Sequence, residues 1–117
     1  MADRRADRVR AAIRQEISNI LHKDLKDPRL GFVTVTDVEV SGDLQHVKVF
    51  VSTLGDENVR SQSMQALESA RGYIRSEIGR RVPLRLTPEI HFAYDTSIEH
   101  GAHILSVLSK IRQEENE

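Results

Sequence analysis

The chain has no cysteine and no tryptophan among its 117 residues, only three prolines, and just two tyrosines and three phenylalanines. Without cysteine there is no disulfide framework, no thiolate nucleophile and no cysteine-ligated zinc or iron-sulfur site. That composition fits a reducing compartment. No uninterrupted apolar run exceeds four residues even when glycine is counted, which excludes a membrane-spanning helix and a signal-peptide core. The cytoplasm is therefore the expected location, with no membrane partner. The sequence also lacks the glycine-rich Walker and dinucleotide fingerprints, so nothing in it is built to cradle a nucleotide.

What is present is charge, and its distribution says more than its sum. The formal net charge is −1, but residues 1–29 carry eight basic and five acidic groups, and residues 70–86 carry five basic groups against the single acid Glu77. Residues 30–69 and 87–117 are acidic by four each. Thirteen of the basic residues are arginine and four are lysine, and arginine's planar fork suits phosphate recognition. An electropositive patch on a near-neutral protein is the expectation.

Apolar periodicity predicts one domain over residues 1–112, with an acidic, frayed end at 113–117. From Asp3, a candidate N-cap, to Lys26, the residues Val9, Ile13, Ile17, Ile20 and Leu21 recur at helical spacing. Asp27-Pro28 should stop that helix, because a residue before proline avoids the helical region. Residues 31–40 read as a strand whose alternation changes phase near Thr36: Val33 and Val35 fall on one face, Val38 and Val40 on the other. A bulge or strong bend is expected there. Ser41-Gly42-Asp43 supplies turn chemistry, and Val47, Val49 and Val51 alternate with polar neighbours, giving a second strand and an antiparallel hairpin.

After Gly55-Asp56 the helical stripe is Ala66, Leu67, Ala70, Ile74 and Ile78, with stop signals at Gly79 and Pro83. Arg71 would sit inside that stripe in a straight helix, beside Gly72, so a break at Ala70-Arg71-Gly72 into two short helices is predicted. Residues 89–95 read as a third strand, joined to the second by a crossover. A final helix is expected from Thr96, where Thr96-Ser97-Ile98-Glu99 matches a capping box.

Catalytic readings have no sharp motif. His100 and His103 beside Glu99 have metal-compatible spacing but no third ligand; Asp95-Thr96-Ser97 is explained by capping. Asp37, Glu39 and Asp43 surround a turn and read as a solvated edge. No enzyme, cofactor or metal is expected. The basic run has more to offer: Arg71, Arg75, Arg80, Arg81 and Arg85 are the candidate RNA-phosphate contacts, extended by Arg4, Arg5, Arg8 and Lys48. Phe32, Phe50, Tyr73, Phe92 and Tyr94 are placed on core faces, which argues against a base-stacking sheet surface. Alternatives are a protein-interaction module using exposed helix faces, or a small hydrolase or metal enzyme.

Several segments together resemble the bacterial ribosome-binding factor A family over nearly the whole chain. They are the arginine-rich first helix, Asp27-Pro28-Arg29-Leu30, the Val38–Leu44 hairpin, Val47–Val51, Arg75, Pro88–Phe92 and Asp95–Glu99. The resemblance implies an α+β fold of type II KH-like form, ordered α-β-β-α-(kink)-α-β-α, with a three-stranded sheet covered on one face by helices. Ala70 and Gly72 would frame the kink that replaces the Gly-x-x-Gly loop of RNA-binding KH domains. It further implies a non-enzymatic cytoplasmic monomer that binds the free 30S subunit, its 16S rRNA and the precursor. Late subunit maturation, 16S 5′-end processing and growth in the cold would depend on it, and a ribosome-associated GTPase would assist release.

Overall fold

The computed structural model describes residues 4–97. Helix α1 spans Arg4–Asn19 and passes into a π-helical turn at Ile20–Asp24. Strands β1 (Val33–Val40) and β2 (His46–Thr53) follow, then helix α2 (Glu57–Arg81) and strand β3 (Glu89–Tyr94). The Asp3 cap, the helix expected beyond Ser97 and the 113–117 end lie outside the described residues.

The sheet order is β1-β2-β3, antiparallel between β1 and β2 and parallel between β2 and β3. Parallel neighbours require a crossover, and α2 provides it. Valines 33, 35, 38, 47, 49 and 51 and Ile90 turn one face of the sheet toward Ile13, Ile17 and Ile20 of the first helical segment and Leu67, Ile74 and Ile78 of α2. The opposite face carries Thr34, Glu39, Lys48 and His91, all exposed, and no described element covers it. This is the α+β architecture expected from the sequence.

The phase change in β1 is a bulge between Val35 and Asp37. Thr36, the extra residue, donates its hydroxyl to the Asp95 carboxylate at 2.6 Å, so the bulge is tied to the residue that follows β3. At the end of α1, Leu25 N–H bonds Ile20 C=O across five residues. Ile20 and Leu21 are both buried there, three and four residues after Ile17, the positions an amphipathic helix turns to the core. Leu44 in the β1–β2 turn has a φ of 61°, a conformation a leucine adopts at some cost; its side chain packs on the core in return.

The predicted break at Ala70-Arg71-Gly72 is corrected: α2 is helical without interruption from Glu57 to Arg81. Its buried row runs through Ser63, Leu67, Ile74 and Ile78, with Ala70 packed against it, so Arg71 lies on the flank of the stripe. From there its guanidinium reaches Glu68 at 3.0 Å. A long side chain on a stripe's edge keeps its charge in water while its stem covers apolar surface, and the charge misfit disappears. Asp56 caps the helix by accepting from Val59 N–H at 3.0 Å.

Candidate nucleic-acid interface

The five arginines of residues 71–85 are close in sequence but serve different faces. Arg81 lies against α1, its guanidinium contacting Asp24 at 2.5 Å, Glu77 at 3.2 Å and Glu16 at 3.4 Å, with its side chain 22% exposed. The Asp24 hydrogen bond, with those from Glu77 and Glu16, raises its pKa, so it is a fixed cation shared by both helices. Arg75 points the other way and donates to the carbonyls of Pro88 and Thr87 at 3.2 Å each, with Glu89 at 3.4 Å. It fastens the 82–88 segment to α2.

Arg80 projects outward, its side chain 70% exposed, and meets Glu77 at 2.6 Å. Glu77 is the acid that serves both neighbours, and Arg80 first, then Arg81, holds its carboxyl below the usual range. Arg85 is exposed and has no partner among the described residues. Together with Arg5, Asp43, Gln45, Leu84 and Leu86 it lines a cleft of about 400 Å³ between the start of α1 and the β1–β2 turn. Arg4 and Arg8 occupy successive turns of α1, with Arg8 Nε 3.4 Å from the Arg4 carbonyl. Lys48 stands on the open sheet face, its ammonium 5.3 Å from the Phe50 ring centre. Ala70 and Gly72 sit in mid-helix.

The structure therefore brings Arg5 and Arg85 together and Arg4 and Arg8 together, and separates them from Lys48. Sequence reasoning passed over Arg10 and Arg14, both exposed on α1. Their signal was present, since neither falls in the apolar row of Val9, Ile13 and Ile17.

The aromatic residues are where the sequence reading needs correction. Of the five, Phe92 packs against the core, but Phe32 is 67% exposed. Tyr73 is also exposed, Tyr94 is half-buried and carries the Arg60 guanidinium 3.6 Å from its ring centre, and Phe50 belongs to the open face. Phe32 precedes buried Val33 in an alternating strand, so its ring falls on the opposite side; treating it as core ignored that parity.

The acidic candidates are occupied by local structure. Asp43 accepts from the Ser41 hydroxyl and Gln45 N–H, which hold its pKa low in that order; Asp37 accepts from Val38 N–H. Asp95 accepts from Thr36 and from Ser97 N–H, and those bonds lower its pKa. Among the described residues no three metal-ligating side chains converge. His100 and His103 lie outside the described residues.

Comparison with known proteins gives a consistent answer. The family model for "Ribosome-binding factor A" matches residues 5–108. Curated proteins of that name from Desulfitobacterium hafniense and Halothermothrix orenii are 56% and 54% identical over 115 residues, covering 98% of this chain and 92% and 94% of theirs. The solution structure of a Thermotoga maritima protein, itself a proposed ribosome binding factor A, superposes with a TM-score of 0.71 at 33% identity, covering 85% of this chain and 94% of that one. A homology model of the Thermus thermophilus ribosome binding factor A, fitted into an electron-microscopy map of its 30S complex, matches with a TM-score of 0.59 at 26% identity over 82% of this chain and 97% of that one. With the family model matching residues 5–108 and the curated relatives covering 98% of the chain, this chain belongs to the ribosome-binding factor A family.

Proposed function

We propose that this protein is a ribosome assembly factor that binds the free 30S subunit through 16S rRNA phosphates. The observation that carries this reading is the likeness to the Thermus thermophilus factor, whose coordinates were fitted into a map of its 30S complex. Within the proposal it acts without catalysis, as a cytoplasmic monomer of KH-like form. It supports late subunit maturation, 16S 5′-end processing from the precursor and growth in the cold, and a ribosome-associated GTPase assists its release.

The electrostatics divide the proposed contacts into two groups. Arg4, Arg5, Arg8, Arg85 and Lys48 are surface cations that a phosphate can approach, and Arg71 and Arg80 each face one exposed or shared carboxylate that a phosphate can replace. Arg75 and Arg81 are engaged in joining elements of the fold, and their part in binding is to keep that surface in shape. Gly72, exposed in mid-helix, leaves room for the rRNA backbone to approach α2, while Ala70 packs against the core.

Sedimentation of the purified protein with 30S, 50S and 70S particles at low and moderate salt tests the reading. Selective pelleting with 30S is expected, weakening about a thousandfold in affinity between about 50 and 200 mM salt if some six phosphates are neutralised. Pelleting with no particle, or binding indifferent to salt, refutes it.

A further inference from the structure

Phe32 is a large apolar ring held in water, and the surrounding chain fixes it there. The residue before it is pinned to α2, where Gly31 N–H donates to the buried Ser63 hydroxyl at 3.1 Å. The residue after it, Val33, is in the core and its carbonyl accepts from His22 Nε2 at 2.9 Å. That bond places the His22 ring beside Phe32, with centroids 6.4 Å apart and planes inclined by 26°. On the other side, Leu54 N–H bonds the Phe32 carbonyl at 3.2 Å, which sets the 75% exposed Leu54 alongside. The result is a ring exposed on a rigid backbone, flanked by a second ring and an apolar edge.

Charge of both signs flanks this platform: the exposed acids Asp56 and Glu57 follow Leu54, and the exposed Lys23 and Lys26 follow His22. Asp24 is engaged by Arg81 and Asp27 by its bidentate partner Arg29. Lys23, next to His22 in the π turn, and Lys26, in the extended segment after it, have no partner among the described residues. A flat aromatic surface beside unpaired ammonium groups suits a nucleobase with its phosphate.

We infer that Phe32, backed by His22, is a stacking site for an unpaired base of rRNA, with Lys23 and Lys26 receiving the adjoining phosphates. The inference rests on the RNA-binding reading above but concerns a different end of the molecule: Phe32 precedes β1, whereas Arg5 and Arg85 line the cleft at the β1–β2 turn.

Because Phe32 is exposed, its variants should fold, and because the chain has no tryptophan, Phe32→Trp makes a single-tryptophan reporter. Measured by 30S pelleting at moderate salt, Phe32→Ala should weaken binding by about tenfold, within the range of one lost base–aromatic stack. Phe32→Tyr and Phe32→Trp should bind like the parent, Phe32→Leu should fail like alanine, and tryptophan emission should be quenched on binding. If Phe32→Leu binds fully while Phe32→Ala does not, the surface meets an apolar protein partner and the stacking site is overturned. If every variant binds like the parent, the site is overturned while 30S binding stands. If the parent itself does not pellet, the RNA-binding reading has failed. Titration of Phe32→Trp with single-stranded oligoadenylate then decides separately: saturable quenching upholds the platform and its absence rejects it.

Discussion

Replacing Gly72 and Gly79 separately by alanine tests the packing of α2, because the two glycines share a helix but not an environment. A methyl group at position 72 would meet nothing within 4 Å, whereas at position 79 it would lie 2.6 Å from Thr87 Oγ1 and 3.3 Å from Thr87 Cγ2. Alanine in a helix interior is favoured over glycine by about 0.8–1 kcal/mol. Gly72→Ala should realise that gain in full, raising Tm by about 4 °C. At Gly79 the same gain is set against an overpacking cost of about 1–3 kcal/mol, so the variant should be as stable as the parent or less stable by up to about 2 kcal/mol.

Thr87→Ala removes both offending atoms and leaves the Thr87 Cβ at 3.5 Å, an ordinary contact. In that background Gly79→Ala should recover most of its loss, giving a coupling of about 1–3 kcal/mol in a double-mutant cycle. Urea unfolding of the four chains, followed by circular dichroism, measures every corner. A coupling near zero, or Gly79→Ala matching Gly72→Ala in stability, refutes the idea that Gly79 exists to let the 82–88 segment cross the helix.

Other tests address the polar contacts. Ser63→Ala removes the buried acceptor of Gly31 N–H and should cost about 1–3 kcal/mol in urea unfolding; no change would mean that water replaces the hydroxyl. Arg81→Met leaves Glu16, Asp24 and Glu77 without their shared cation, so its urea midpoint should fall further than that of Arg80→Met, which ends a single pair made by a largely exposed arginine; the reverse order refutes the clamp. The carboxyls of Asp27, Asp43, Glu77 and Asp95 all titrate below their ordinary range in the folded chain, held mainly by Arg29, Ser41, Arg80 and Thr36 respectively. Between the depressed folded values and the ordinary carboxyl pKa of about 4, the unfolded chain binds more protons. Stability should therefore be complete above about pH 5 and decline as pH falls through the folded values; urea midpoints that stay level into strong acid refute it.

The bulge at Thr36, the hairpin and the helix stop before Pro28 were legible in sequence because each is written locally, in alternation or in backbone restriction. The π turn was not legible: Ile20 and Leu21 stand three and four residues after Ile17, the spacing of any amphipathic α-helix, so nothing in the apolar pattern marks the wider turn. Arg71 shows the opposite error, since a helical wheel marks its direction but not the reach of its side chain. The basic run misled for a different reason. Carboxylates at positions 16 and 24 lie far from Arg81 along the chain, and only the packing of α1 on α2 reveals that this cation is already engaged. Phe32 was misplaced although its parity with Val33 was in plain view, because aromatic character was allowed to outweigh alternation.

The hydrogen bond from Thr36 to Asp95 joins the bulge of the first strand to the residue just beyond the third. The β1–β2 hairpin is local and forms early, whereas parallel pairing of β3 must wait for residues 54–88 to cross the sheet, and distant pairings are the slow ones. Until then the hairpin exposes β2 as an open edge carrying Val47, Val49 and Val51, the kind of strand that recruits other chains. During synthesis that interval lasts at least until Asp95 has emerged. Substitutions that hinder the crossover, such as those at Gly79, should consequently lower the soluble yield as well as the unfolding midpoint of the molecules that succeed in closing.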